Sequence, residues 1–263
     1  MTRLRRLSAK RSQRDQDQVF VAEGAKVVEA ALDADAAIEA IYCDTGATGI
    51  AALEPLIERA RARGVRVHGL EPGVIERVSD TVTPQPILAV VHFVDRALET
   101  ITSGVVIVLV DVRDPGNIGA VLRSADAAGI DAVIMSDGCA DLYNPKTVRA
   151  SAGSLFHLPV VRGGTPDAVL SHLEACGFVT CATLARSAND YADARLFPPL
   201  ALVFGNEARG LDADIADRCA ESISVPIAGG AESLNVAMAA TVIAFELARR
   251  RRHDGRDALS MNA

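Results

Sequence analysis

The sequence predicts an α/β fold in two domains, a smaller one at 1–98 and a larger one at 104–263 built on a parallel sheet. Three observations carry that prediction. Apolar runs of strand length, such as VVIVLVD (105–111) and LALVF (200–204), alternate with segments whose apolar residues recur at helical spacing. Helix starts are marked by Asn144-Pro145 and Thr165-Pro166, and helix ends by Gly64, Gly129 and Gly177. Between the halves, DRALETITSG (95–104) has no long apolar run and closes on glycine.

In the first domain, VAEGAKVVEAAL (21–32) repeats apolar residues at helical spacing. AIEAIYC (37–43) reads as a strand, and GIAALEPLIERARARG (49–64) as a helix ended by Gly64. VRVHGL (65–70) is a strand, PGVIERVSD (72–80) a short helix, and PILAVVHFV (86–94) a strand. In the second domain VVIVLVD leads into the helix NIGAVLRSADAAG (117–129), and DAVIMS (131–136) follows as a strand. Helices at NPKTVRASAG and TPDAVLSHLEACG flank the short strand LPVV (158–161). FVTCAT and LALVF are strands, DADIADRCA a short helix, SISVPI (222–227) a strand, and SLNVAMAATVIAFELARRRR the last helix. Strands separated by helices imply parallel pairing and strands buried on both faces.

Composition narrows the function. The 263 residues are 49% hydrophobic and 23% charged, an ordinary balance for a globular chain. No uncharged apolar stretch is long enough to span a bilayer, and MTRLRRLSAKRSQR is not followed by an apolar signal core, so a cytoplasmic protein is expected. The five cysteines form no CxxC and the five histidines no HxH or HExxH, which argues for reduced thiols and against a metal site. A net charge of −7 argues against indiscriminate nucleic-acid binding. The charge is uneven, however: Arg3, Arg5, Arg6, Lys10, Arg11 and Arg14 precede the first acid, and Arg249–Arg252 form a second run. Of 27 basic residues only Lys10, Lys26 and Lys146 are lysine, leaving 24 arginines, the side chain whose planar fork matches phosphate.

Three stretches offer chemistry. DVRDPGNIGAVLRSADAAG (111–129) puts a turn at the carboxyl end of a strand, where parallel sheets bind ligands. Ile118, Val121, Leu122 and Ala125 supply the helix's apolar face, and Arg123 lies about 140° around from Ile118. It projects toward solvent or substrate, and a plain surface arginine with Asn117 as helix cap fits the same pattern. LALVFGNEARGL (200–211) ends a buried strand in Gly205, with Glu207 and Arg209 at its rim. In SISVPIAGGAESLNVAMAATVIAFE (222–246) a glycine loop meets a helix start, with Ser233 the natural cap and Asn235 beside it. GxGxxG, GxxxxGK[ST] and GxSxG are all absent, which removes the common dinucleotide, phosphate-loop and hydrolase readings.

Together, in order and spacing, NIGAVLRSADAAG, VFGNEARGL and VPIAGGAESLNVAMAA resemble the three motifs of the SpoU/TrmH branch of the SPOUT RNA methyltransferases. The likeness continues through DLYNPKTVRASAGSLFHLPV (141–160). RLRRLSAKRSQRDQDQVFVAEGAKVVEAAL (3–32) is similar to that family's L30e-like RNA-binding extension.

The resemblance implies a C-terminal trefoil knot, which composition would never suggest because chains ordinarily avoid knots. It implies S-adenosylmethionine as cofactor, held at Gly205, Val225, Ile227 and Leu234, and a homodimer in which one subunit helps complete the other's site. It implies methyl transfer to a ribose 2′-hydroxyl, with Arg123 catalytic and Asn117, Glu207, Ser233 and Asn235 around the reaction centre. Large-subunit 23S ribosomal RNA is the favoured substrate. A tRNA methyltransferase and a non-catalytic RNA-binding protein of the same fold are the alternatives. Arg3, Arg5, Arg6, Lys10, Arg11, Arg14 and Arg149 are candidate RNA contacts. Arginine keeps its proton, with a pKa above about 12. Arg123 is therefore expected to bind phosphate and stabilise a developing alkoxide, the proton leaving to phosphate or water, with Glu207 as a second acceptor.

Overall fold

A computed structural model describes residues 2–47, 50–79 and 83–260. The chain forms two compact units: Met1–Val94 with Asp141–His157, and Asp95–Ala140 with Leu158–Ala263. The excursion 141–157 thus packs with the first unit although it lies within the second in chain order.

The first unit begins with two helices, α1 (Thr2–Ala9) and α2 (Arg11–Asp17). The basic N-terminal run is therefore largely helical. Leu4 and Leu7 of α1 are buried in a core with Val19, Val21, Ile75, Val78, Leu88 and Val90, which draws the helix onto the sheet. Strand β1 (Val19–Glu23) precedes α3 (Ala25–Asp33), so residues 21–23 of the expected helix are strand. Gly24, at φ +104°, makes the change of direction that a side-chain-bearing residue resists. Strands β2 (Ile38–Asp44), β3 (Arg66–Leu70) and β4 (Ile87–His92) complete the sheet in the order β1-β4-β2-β3, with α4 (Glu54–Ala62) between β2 and β3. β4 runs antiparallel to both neighbours while β2 and β3 are parallel, so the sheet is mixed. The helix expected at 72–80 is a succession of turns over 72–78, with Gly73 at φ +81°; Asp80 and Gly49 lie outside the described residues.

The excursion carries α6 (Pro145–Ser151), started as expected by Asn144, whose side chain accepts the Lys146 N–H. Tyr143 is fully buried, stacked on Phe93 with ring centroids 3.9 Å apart, and its hydroxyl accepts the Val94 N–H. Arg14 of α2 reaches Asp141 at 2.5 Å, and the pair is almost completely buried.

The second unit holds six parallel strands: β5 (Val105–Leu109), β6 (Ala132–Met135), β7 (Val160–Arg162), β8 (Val179–Thr183), β9 (Leu200–Phe204) and β10 (Glu221–Ile223). Their order is β10-β8-β9-β5-β6-β7. β5 and β9 are buried throughout, as their unbroken apolar runs require. Helices α5 (Pro115–Ala128), α7 (Pro166–Ala175), α8 (Ala213–Arg218) and α9 (Val236–Ser260) connect and cover the strands. The last strand stops at Ile223, short of the expected 227, and α9 packs along α5, where Ser124 donates to Thr241 at 2.6 Å.

No helix among the described residues is long and apolar enough to cross a membrane, and no group of three or more His, Cys, Asp or Glu side chains there is placed to hold a metal ion. All five cysteines are free. Burial pushes the thiols of Cys43, Cys139 and Cys219 up to about 11 and that of Cys181 up to about 12, leaving them protonated and inert.

Candidate active site

The three singled-out stretches converge at the carboxyl ends of β5, β9 and β10. After β5 the chain turns at Asp111, and α5 is capped by Asp114, which accepts from the N–H groups of Gly116 and Asn117. Asn117 is therefore not the cap but lies in the first turn, with its side-chain amide turned to Glu207 and Asn235. Pro115 at the first helical position needs no hydrogen-bond partner.

After β9, Gly205 opens a tight loop closed by two 2.9 Å bonds between the main chains of Asn206 and Gly210. A Cβ at Gly205 would lie 2.2 Å from the Gly210 carbonyl carbon, so this glycine is required by the chain's own close approach. The Asn206 side chain accepts from Ala208 and Arg209 N–H and donates to the Asp111 carbonyl. Neither Asn206 nor Asp111 was marked by the sequence pattern, since their partners lie more than 90 residues away in the chain.

Glu207 joins the two loops. Its carboxylate accepts the Arg113 N–H at 3.1 Å, the Asp114 N–H at 2.9 Å and the Asn117 amide at 3.0 Å. Burial tends to raise its pKa, but the bonds from Asp114, Asn117 and Arg113 outweigh that and hold it below the usual glutamate range. A carboxylate so engaged is a poor proton acceptor, which removes Glu207 as the second acceptor and makes it the staple between motifs.

After β10, α9 is capped by Asn235 and not by Ser233: the Asn235 carbonyl accepts Ala237 and Met238 N–H, while its amide donates to Asn117 at 3.0 Å. The amide orientations follow from one constraint. An ionised carboxylate only accepts, so Asn117 must present its NH₂ to Glu207 and its oxygen to Asn235. Residues from all three motifs thus form the chain Asn235–Asn117–Glu207.

Beside it lies a cavity of about 220 Å³ above the ends of β8, β9 and β10. Gly205, Val225, Ile227 and Leu234, the four expected cofactor residues, all line it, as do Glu207 and Ser233. Arg123 does not; it is exposed on α5. Of the expected RNA contacts, Arg5, Arg6 and Arg11 are exposed on the first two helices and Lys10 at the junction between them, Arg11 beside Asp15 at 3.4 Å. Arg3 is held by Asp17 and Glu39. Arg14 is 3% exposed and is withdrawn from that set: its guanidinium is filled by Asp141 and the carbonyls of Leu7 and Ser8. Arg149 is mostly covered and pairs with buried Glu23 at 3.5 Å, which leaves it little reach toward RNA.

A family model described as the SpoU rRNA Methylase family matches residues 104–245, and one described as the MRM3-like substrate binding domain matches 1–89. The chain is 36% identical over 238 residues to the 23S rRNA (guanosine(2553)-2′-O)-methyltransferase RlmP of Bacillus subtilis, covering 90% of this chain and 91% of that one. Among solved structures, the AdoMet-bound rRNA methyltransferase of Sinorhizobium meliloti superposes with a TM-score of 0.84 at 31% identity, over 95% of this chain and 94% of that one. The SpoU methyltransferase AviRb of Streptomyces viridochromogenes, in complex with AdoMet, gives 0.83 at 30% identity over 96% and 98%.

Proposed function

This chain belongs to the SpoU rRNA methylase family and is an S-adenosylmethionine-dependent RNA ribose 2′-O-methyltransferase, and we propose that its substrate is 23S ribosomal RNA. The observation that carries the site assignment is the Asn235–Asn117–Glu207 chain at the rim of the cavity. We assign substrate recognition to 1–98 and catalysis to 104–263, a division supported by the family matches at 1–89 and 104–245.

The cavity's chemistry fits the cofactor. Its lining combines main chain from the loops after β9 and β10 with apolar Val225, Ile227 and Leu234, and among the described residues Arg209 is its one cation. Such a lining suits an apolar-faced nucleoside and not a polyphosphate, which would call for several cations or a glycine-rich helix start. Gly205, Val225, Ile227 and Leu234 would hold S-adenosylmethionine, which when bound supplies an electrophilic methyl group.

The chain's own residues then align the ribose. Asn117 and Asn235 are fixed by their mutual bond, and Glu207 keeps the turn at 113–117 in register with the loop after β9. Ser233, exposed at the rim, offers a hydroxyl to the incoming nucleotide. Arg123 contributes a permanent positive charge for the phosphate and the developing alkoxide, and the proton leaves to phosphate or water. Collinear alignment supplies most of the rate.

The reading includes a homodimer. Met238, Val242 and Phe245 form an apolar stripe on α9, 61%, 37% and 43% exposed, at the spacing of one helix face. A second copy seated on this stripe lies next to α5, which packs along α9 and carries Arg123. Arg123 thereby completes the partner's site. A knotted C-terminus belongs to the same proposal: the chain leaves at the edge strand β10 and returns through α9 onto α5, the helix that follows the inner strand β5. The enzyme acts in the cytoplasm, where its substrate is.

The test is mass spectrometry of 2′-O-methylated nucleosides from 23S rRNA, with and without the gene and after treatment with purified protein. Loss of one modification on deletion and its restoration in vitro are expected. A modification lost from tRNA instead refutes the substrate. Failure to bind S-adenosylmethionine in calorimetry refutes the cofactor site proposed here. Arg123→Ala and Arg123→Lys should each lower turnover at least 100-fold with cofactor affinity unchanged, if the lost step is general stabilisation of the reacting group, about 10²–10⁴-fold.

A further inference from the structure

Asp111 and the two arginines around it are not used by the reaction as described. Asp111 has φ +54°, a conformation that few residues other than glycine adopt. Its carboxylate splits between two guanidinium groups: Oδ1 accepts Arg113 Nε at 2.8 Å, and Oδ2 accepts Arg209 Nη2 at 2.6 Å. The turn is built around that side chain. Asn206 donates to the Asp111 carbonyl and also meets Oδ2 at 3.3 Å, and a Cβ at Gly138 would lie 2.9 Å from Oδ1.

The arginines are pinned at both ends. Arg113 N–H is held by Glu207 and Arg209 N–H by Asn206. Their side chains remain 68% and 61% exposed. Arg113 uses Nε toward Asp111 and keeps both terminal NH₂ groups; Arg209 uses one terminal group and keeps Nε and the other. The two NH₂ groups of Arg113 are a parallel pair that matches two phosphate oxygens, while Nε and Nη1 of Arg209 point apart and offer single donors. Exposed ion pairs contribute little to stability, so the fold alone does not account for the arrangement. The other acids of these loops, Asp114 and Glu207, are turned to main-chain N–H groups and the Asn117 amide, so Asp111 is the one carboxylate among them that the two guanidinium groups hydrogen-bond.

We propose that Asp111 is a positioning residue that holds Arg113 and Arg209 as a paired guanidinium clamp for the phosphodiester backbone of RNA at the mouth of the catalytic cavity. This rests on the reading of the chain as an RNA methyltransferase. Guanidinium groups fixed before binding lose less side-chain freedom on contact, so the clamp gains affinity from being preorganised.

The proposal fixes the sign of an experiment. Removing an acid from an RNA-binding surface ordinarily tightens binding, because net charge becomes more positive. A positioning role predicts the reverse. Asp111→Asn keeps the shape and the tolerance of left-handed backbone but loses the charge that splays the two forks. The full-length protein is titrated with an unmodified 23S rRNA transcript across 50–200 mM salt. Asp111→Asn should weaken binding about fivefold, the worth of an exposed ion pair of about 1 kcal/mol. Arg113→Gln should lower the slope of log affinity against log salt by about 0.7–0.9, and Arg113→Gln/Arg209→Gln by about twice that. Adding Asp111→Asn to the double variant should change nothing further. S-Adenosylmethionine affinity and melting temperature of Asp111→Asn report that it is folded, and Arg113→Gln, at an exposed position, gives a second measure of the clamp. Tighter or unchanged RNA binding by Asp111→Asn, or an unchanged salt slope in Arg113→Gln, overturns the clamp. Methyl transfer by the wild-type protein is read separately: its absence refutes the proposed substrate, while the slopes judge the clamp.

Discussion

Glu207→Gln separates two jobs that one carboxylate could have. In the structure Oε1 accepts two donors and Oε2 one. Glutamine can keep its oxygen on Asp114 and Asn117, but its NH₂ then faces the Arg113 N–H, donor against donor. One charge-assisted bond is lost, about 1.5–3 kcal/mol, and the two others fall to neutral strength. Glu207 is exposed, so solvent reduces this to about 1.5–2 kcal/mol in all. If that energy is what aligns the motifs in the transition state, single-turnover methyl transfer should slow about 10–30-fold. The melting temperature should fall by about 3–8 °C.

The pH dependence distinguishes the staple from a general base. Because the folded pKa of Glu207 is depressed, its stabilisation is fully present above the ordinary glutamate value of about 4.3 and is lost as pH falls through the lower folded value. Between pH 6 and 9 the wild type and Glu207→Gln should therefore give rate profiles of the same shape, displaced in height. A base would instead contribute about 10²–10⁴-fold, and its removal would change the profile's shape. A Glu207→Gln rate within twofold of wild type with unchanged melting refutes the staple; a loss above 100-fold with an altered profile restores the base.

Three further outcomes follow from geometry. Arg14→Ala leaves Asp141 buried without its cation and should lower stability by about 3–5 kcal/mol in urea unfolding, with Arg14→Met/Asp141→Asn recovering part of it. Gly205→Ala places a methyl group against the Gly210–Leu211 main chain, which cannot yield as a side chain would. S-Adenosylmethionine affinity measured by calorimetry should fall at least tenfold, about 1.4 kcal/mol. Met238→Glu/Val242→Arg places charges on the apolar stripe of α9 and should convert a dimer to a monomer in sedimentation; a wild-type monomer, or a variant that stays dimeric, refutes the interface.

What the sequence made legible was local. Thr165-Pro166 and Asn144-Pro145 start their helices because a cap and a fixed φ act within one turn, and LALVF is a central strand because nothing polar interrupts it. What it concealed depends on distant partners. SLN offers two caps, and serine is the natural first choice; Asn235 prevails where its amide can also reach Asn117, 118 residues earlier. VFVAE was read partly as helix because its burial comes from β4, more than 60 residues on. Arg14 and Arg11 look alike in a basic run and lie on the same helix α2, and only the distant partner Asp141 tells them apart, burying Arg14 while Arg11 stays at the surface. The same logic sorts the site. Motif matching brings Glu207, Asn117, Asn235, Ser233 and Arg123 forward as equals, but the first three satisfy one another and so fix geometry. Ser233 and Arg123 are exposed and hold no polar partner among the described residues, so theirs are the groups left to meet a substrate. The division of labour is therefore written in which hydrogen-bonding groups remain open after folding, and substitutions should divide accordingly. Changes at Asn117, Glu207 or Asn235 should move stability and turnover together, whereas changes at Ser233 or Arg123 should move turnover alone.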